Sequence, residues 1–301
     1  MASSRLSGAD GVVSATGARE IRYEKWTIEP VRVGLVARVR EFWRYRRILW
    51  FFASRRIKER YESTTLGMFW LFARPLIPIL VSSAIFGLML GIKSDGVPYF
   101  LFFLTGSSCW RLFERSVIAA TRSLEQNRGL IKKVYFPRLV APIASVAPSF
   151  IEFAIMVGLT LVVGGFYYYR DGDSHLRMGF LVLLAPVAAG LAILLALAVG
   201  FWTSVFQVRH RDVQLSLRYV LQFWLYATPI IYAHSAIPER FRFLASLNPM
   251  TGVVELYKWS LLGVGDFPGR ALVPTIAITL TIFVTGAAFF NRAESASVDR
   301  L

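Results

Sequence analysis

The 301-residue chain is 55% hydrophobic and 15% aromatic, more apolar than an average water-soluble domain, and carries a formal charge of +15. Such a composition belongs in a bilayer, where basic residues fix topology and meet anionic head groups, so the charge does not by itself indicate nucleic acid. A single cysteine, Cys109, excludes an intrachain disulfide and a cysteine-based metal cluster.

The first 30 residues alternate charged and small polar groups without an apolar run, which predicts a cytoplasmic amino terminus and no cleavable signal peptide. Between Pro30 and Glu62, Leu35, Val39, Phe42, Trp43, Leu49, Trp50 and Ala53 recur at roughly helical spacing while arginines fill the other faces. This pattern predicts an amphipathic helix lying in the membrane surface. It reads either as a topology anchor or as the place where a lipid-borne cargo arrives from the cytoplasmic leaflet. Its aromatic and basic character suits a pyrophosphate-linked lipid.

Crossing about 30 Å of hydrocarbon at about 1.5 Å per residue takes about 20 mostly apolar residues. Six stretches qualify: Leu66 to Ile92, Tyr99 to Thr121, Leu139 to Tyr167, Gly179 to Phe206, Tyr219 to Ala233 with a short extension on either side, and Ala271 to Phe290. With both termini inside, 24 of the 34 Lys and Arg residues are cytoplasmic and seven are external, and Arg74, Arg111 and Arg115 fall within spans. The excess of basic residues on the cytoplasmic side favours this orientation. The expected fold is an all-α integral membrane protein: a cytoplasmic tail over 1–29, an interface-helix region over 30–62, a six-helix transmembrane domain over 63–291 and a cytoplasmic tail over 292–301.

The loop from Thr121 to Pro142 sets Arg122, Arg128, Lys132, Lys133 and Arg138 against the single Glu125. It is longer than a hairpin needs, and it reads as a docking surface for a partner or as an ordinary charged turn. The external segment from His234 to Arg270 is too apolar for a free loop and is interrupted at Asn248-Pro249, where a helix cannot run through unstrained. Two short helices dipping into the membrane and returning, with Asn248 and Pro249 at the break of a re-entrant gate, fit its length, as does a small external cap.

A guanidinium near the bilayer centre costs at least about 2.5–3.5 kcal/mol, so intramembrane charges face a cavity or a partner. Matching depths along the spans pairs Arg74 with Glu114, and Arg111 with Glu152 or with a wet channel. Alternatively Arg111, Glu114 and Arg115 satisfy one another along one helix face. Phe69, Trp70, Trp110, Phe113, Trp224, Tyr226 and Tyr232 are candidates for stacking on sugar rings in a channel, although aromatic residues also gather at membrane interfaces generally. Trp110 and Phe113 share a face with the charges and are the best of the seven.

Enzymatic readings find little support. No Gly-Lys dipeptide occurs, so the phosphate-cradling loop for ATP hydrolysis is missing, and the energy source is expected in another subunit. His210-Arg211-Asp212 opens like a kinase catalytic loop, but Leu217 stands where the metal-binding Asn belongs. His175, His210 and His234 are scattered over three loops without zinc-ligand spacing. Asp171 and Asp173 beside His175, the nearest approach to a transferase cluster, read as a solvated external turn.

The order of RRIKERYESTTLGMFWLFARPL, SDGVPYFLFFLTGSSCW, NRGLIKKVYFPRL, VRHRDV, YATPIIY and SLNPMTGVVELYKWSLLG resembles the membrane subunit of type-2 ATP-binding-cassette exporters. Within that family it is most similar to O-antigen and related polysaccharide permeases, with teichoic-acid permeases close behind. The resemblance runs from about Glu29 to Phe290. It implies a homodimer enclosing a polysaccharide channel in the bacterial inner membrane, with no cofactor in this chain. It also implies two copies of a separate cytoplasmic ATPase that bind ATP and Mg, and a lipid-linked polysaccharide as cargo. By the same resemblance, Gln126, Asn127, Arg128, Gly129, Leu130, Ile131, Lys132, Lys133, Val134 and Tyr135 form the coupling contact with the ATPase, and Arg209 to Asp212 belongs to the second cytoplasmic loop. The chain departs from the family pattern at Arg74, at Arg111, Glu114 and Arg115, and in its tail. A drug or lipid exporter of the same superfamily and a membrane-embedded transferase are the rival classes.

Overall fold

A computed structural model describes residues 46–61, 67–127, 129, 139–177, 179–210 and 212–297. The described residues form helices and connecting turns with no strand among them. Helix α1 covers Arg46–Tyr61, and α2 covers Gly67–Ser83 and passes into a π-helical turn at Ala84–Met89. Helix α3 runs Tyr99–Gln126, a short α4 Val140–Ser145, and α5 Ala147–Asp171. A 3₁₀ turn at Phe180–Leu183 leads into α6, Leu184–Arg209, followed by α7, Val213–Tyr226. Helix α8 spans Glu239–Leu247, α9 Pro249–Leu262 and α10 Gly269–Ser297.

Among the described residues, four stretches are long and apolar enough to cross a membrane: Phe72–Met89, Val140–Asp171, Phe180–Arg209 and Gly269–Arg292. They coincide with four of the six expected spans. Helix α3 has the length, since 28 residues rise about 42 Å, but it carries charges through its middle. The fifth expected span is shorter than its apolar run suggests. Helix α7 stops at Tyr226 after 14 residues, about 21 Å, because the chain unwinds ahead of Pro229, which has no N–H to continue a helix.

Helix ends follow local chemistry. Gly172 adopts φ +78° and donates its N–H to Tyr168 O at 2.9 Å, closing α5, and Gly263 at φ +70° closes α9 on Trp259 O in the same manner. Asn248 caps α9 by accepting from Met250 N at 3.0 Å, with Pro249 in the first turn where its missing N–H is harmless.

The main apolar core joins α3 to α5, α6, α7 and α9, and it includes Leu101, Leu104, Leu112, Met156, Ala192, Leu195, Leu221 and Val253. Helices α3 and α6 approach closely because Gly200 has no Cβ; one placed there would stand 2.5 Å from Ala120 Cβ. Helix α9 is buried along most of its length, from Pro249 to Leu262. The rings of Phe201, Phe283 and Phe290 pack in tilted contact where α6 meets α10.

In α1 the aromatic and basic residues do not separate onto opposite faces as the amphipathic pattern predicts. Trp50 and Phe51 are exposed together with Arg47, Arg55 and Lys58, and the packing face carries Phe52, with Leu49, Ala53 and Arg56 half-buried beside it. The helix rests on α4 and α5. The portion expected to precede it, including Leu35, Val39, Phe42 and Trp43, lies outside the described residues.

Candidate functional site

The charges within α3 correct the expected pairing by depth. Arg115 Nε faces Glu152 Oε2 of α5 at 3.5 Å, and Arg111 Nη2 donates to Pro75 O of α2 at 3.4 Å. Arg74 is exposed and forms no ion pair with Glu114, which faces a cavity instead. Counting residues fixes a level along the axis but not the direction in which a side chain leaves the helix. Arg111 and Arg115 stand one turn apart on the same side, and the second of the two meets Glu152.

A cavity of about 700 Å³ opens between α1, α3, the α4–α5 junction and α7. Four guanidinium groups line it, Arg56 from α1, Arg115 and Arg122 from α3 and Arg218 from α7, against the single lining carboxylate of Glu114. Gln126, Gln222 and Ser145 add polar atoms, and Trp110, Ile118, Leu225 and Tyr226 add apolar and aromatic surface.

Hydrogen bonds fix the direction of the walls. Gln207 Nε2 of α6 donates to Glu125 Oε2 at 3.2 Å, and the Thr121 and Thr203 hydroxyls lie 2.6 Å apart, so the carboxyl ends of α3 and α6 are neighbours. Helix α7 therefore starts near Gln126 and runs back along α3 until Trp224 meets Trp110 and Phe113. Arg218, six residues or about 9 Å before Trp224, comes level with the stretch between Arg115 and Arg122. Sequence reasoning missed Arg56, Arg122, Arg218 and Gln222 as a group because three separate segments supply them. One signal was present, since Arg218, Gln222 and Tyr226 form an i, i+4, i+8 stripe on a mostly apolar helix.

The aromatic candidates divide. Trp110, Phe113 and Trp224 form one ring cluster, with centroids 5.3 Å apart for Trp110 and Phe113 and 5.2 Å for Phe113 and Trp224. Phe113 and Trp110 are both buried in this cluster, and Trp110 borders the cavity. Tyr226 and Phe69 are exposed, and Tyr232 bonds through its hydroxyl to Tyr226 O at 3.1 Å. The Trp70 side chain lies outside the described residues.

Asn248 is a tie between helices. Besides capping α9, its Oδ1 accepts from Trp224 Nε1 at 2.8 Å, and its Nδ2 donates to Thr228 Oγ1 at 3.0 Å and Ala227 O at 3.2 Å. Lys258 completes the fastening. Its buried ammonium donates to Pro229 O at 2.9 Å and Ile230 O at 3.1 Å and sits over the Phe102 ring, taking up carbonyls that the unwound chain after α7 would otherwise leave unpaired. Sequence reading had counted Lys258 only as an external charge.

The ABC-2 type transporter family model matches residues 47–262, from α1 through α9 and therefore across the whole cavity. The chain belongs to the ABC-2 type transporter family. With four apolar stretches of spanning length among the described residues, it is a multi-pass membrane protein. Curated relatives include an O-antigen export system permease protein RfbA of Myxococcus xanthus, 29% identical over 226 residues, covering 74% of this chain and 84% of the relative. An O-antigen export system permease protein RfbA of Klebsiella pneumoniae is 26% identical over 239 residues, covering 79% and 88%.

Two further parts of this ABC-2 transporter chain bear on function. Of the coupling stretch, Gln126 is exposed and borders the cavity, and Asn127 is buried with Nδ2 on Ser123 O at 2.8 Å. Gly129 is exposed; Arg128 and Leu130, Ile131, Lys132, Lys133, Val134 and Tyr135 lie outside the described residues. Before α8, His234 Nδ1 is paired with Glu255 Oε1 of α9, and this hydrogen bond to the carboxylate raises the imidazole pKa above its ordinary value.

Proposed function

We propose that this chain is the permease subunit of an ATP-driven exporter that carries a lipid-linked polysaccharide of the O-antigen kind across the bacterial inner membrane. One observation carries the reading: the family match spans most of the chain, and the relatives named as O-antigen export permeases align over more than four-fifths of their own length.

In this reading α3 and α7 supply the two further crossings, giving six, with both termini cytoplasmic. Helix α3 tolerates its intramembrane charges because they face the cavity or a partner such as Glu152 instead of lipid. Helix α7 is short for a span, and the fastened stretch from Ala227 to Ala233, together with α8 and α9, completes the external end as a re-entrant unit. Two copies of the chain form the translocation path. Two cytoplasmic ATPase subunits hold ATP and Mg, and their closure reaches the permease through the segment that begins at Gln126, moving its helices as rigid units. Phe69, Tyr226 and Tyr232 are the aromatic residues best placed to meet sugar rings.

The test is deletion of the chain in its own host. Lipid-linked glycan should accumulate on the cytoplasmic leaflet, surface glycan should disappear, and the tagged chain should co-purify with a nucleotide-binding subunit. Undiminished surface glycan would overturn the cargo, and purification without any nucleotide-binding subunit would overturn the exporter reading itself.

A further inference from the structure

We infer that Lys258 is a positioning residue for export. Lodged in a niche on α3, it holds the unwound stretch after α7 and makes the external end of the path follow α3, whose other end opens the cytoplasmic segment at Gln126. This deepens the export reading and rests on it.

The niche is the first observation. Lys258 is 4% exposed, and among the described residues no other Lys, Arg, Asp or Glu is buried so deeply. Its side chain leaves α9 and crosses α3 at Gly106, where a Cβ would stand 2.4 Å from Lys258 Cε and 3.1 Å from Nζ. One turn away on the same face of α3, the Phe102 ring lies with its centroid 3.5 Å from the ammonium. A glycine inside a helix costs about 0.5–1 kcal/mol relative to alanine, so α3 gives up some of its own stability where the lysine passes.

What the ammonium holds is the second observation. Its bonds to Pro229 O and Ile230 O are continued by Tyr99, the first residue of α3, whose hydroxyl donates to Ile231 O at 2.8 Å. Three carbonyls in a row are therefore held against α3, one by its own tyrosine and two by the lysine seated in its niche. Glu255, three residues earlier on α9, is paired with His234, so Lys258 donates its hydrogen bonds to backbone carbonyls. A methionine at 258 would fill the same length without the cost of drying a charge. Apolar contact alone would let the unwound stretch slide along α3, whereas directional bonds to the ammonium fix one register.

Reach is the third. From Gly106 to Gln126, α3 runs unbroken for 20 residues, about 30 Å. A displacement imposed at Gln126 moves the helix as a rigid unit, and Lys258 passes it to Pro229 and Ile230, from which the chain leads through His234 into α8.

The experiment returns variants to the deletion strain and, in parallel, purifies each exporter with its ATPase partner into phospholipid nanodiscs. Surface glycan is read in the cells and ATP hydrolysis in the nanodiscs, with membrane abundance measured for every variant. Lys258→Met should insert and hydrolyse ATP at close to the parental rate while surface glycan falls about fivefold or more, the lower end of a typical coupling between sites. Tyr99→Phe should act in the same direction and by less. Gly106→Ala should lower surface glycan in the parent by forcing Lys258 from its niche, and should cost nothing further once Lys258→Ala has emptied that niche. Damage to packing alone would instead lower abundance, ATP hydrolysis and glycan together.

Full surface glycan in Lys258→Met overturns the proposal, as does a parallel fall of ATP hydrolysis and glycan. So does an effect of Gly106→Ala that is the same with and without Lys258. Should Lys258→Met fail to insert, the Gly106→Ala and Lys258→Ala pair decides; failure of both lysine variants to insert makes Lys258 a requirement of folding and also ends the proposal. The parent chain reports separately on export. If it does not restore glycan to the deletion strain the export reading fails, and if it does while Lys258→Met restores as much, only the role of Lys258 falls.

Discussion

Replacing Asn248 by Ala removes four hydrogen bonds at once: the cap on Met250 N, the acceptor of Trp224 Nε1, and the donors to Thr228 Oγ1 and Ala227 O. A lost N-cap costs about 0.5–2 kcal/mol. The three remaining bonds contribute roughly 0.5–1.5 kcal/mol each, and since such terms do not add fully, a central figure of about 3 kcal/mol follows. Asn248→Asp keeps both acceptor contacts but cannot donate, so its loss should be smaller, about 2 kcal/mol. Trp224→Phe removes a single bond, and a double-mutant cycle with Asn248→Ala should return a coupling near 1 kcal/mol. The assay is an unfolding titration in mixed micelles, followed by far-ultraviolet circular dichroism, with Ser216→Ala as the exposed control. If Asn248→Ala and Asn248→Asp both stay within about 0.5 kcal/mol of the parent, the fastening role is refuted and Asn248 is only a feature of the break between α8 and α9.

Other predictions address packing, pH and coupling. Gly200→Ala should cost about 1–3 kcal/mol by forcing α3 and α6 apart, and Ala120→Gly in the same chain should restore part of it, both read from the thermal midpoint in detergent. Because the folded-state pKa of His234 is raised, its pairing with Glu255 stabilises the fold below the ordinary imidazole value and loses that contribution as pH rises through the raised one. The melting difference between the parent and Glu255→Gln should therefore be largest near about pH 6 and should shrink steadily toward alkaline pH; a difference that does not change with pH refutes the pairing. Exchanging Gln126 to Tyr135 for neutral, unrelated residues should abolish export while the protein still inserts and the ATPase still hydrolyses ATP. Full export after the exchange would remove this segment from the coupling route.

Much of the helical framework was legible because a span announces itself by some 20 apolar residues and its ends by Gly, Pro and Asn. The break at Asn248-Pro249 and the four apolar stretches of spanning length follow from such local signals, but the π-helical turn that ends α2 and the break between α4 and α5 do not. The length of α7 does not. Its apolar run continues to Ala233, but the helix stops at Tyr226, and side chains more than 20 residues away, Asn248 and Lys258, take up the freed carbonyls. Partners so distant in sequence leave no periodic trace. The intramembrane charges show the same limit, since spacing predicts that Arg111 and Arg115 share a face but not which of them meets Glu152. The cavity was the least legible feature of all, because its four arginines become one group only when α1, α3 and α7 are packed together.

The fastening of α7 to α9 also bears on how this molecule can move. Asn248 grips the end of α7 from one side and Lys258 grips the next turn from the other, so the two helices form a single lever with little internal give. Torque applied near Gln126, at the far end of α7, would then be transmitted along that lever to the turns that follow α9. Gly263 and Gly265, both at positive φ, are where the backbone can swivel without steric penalty.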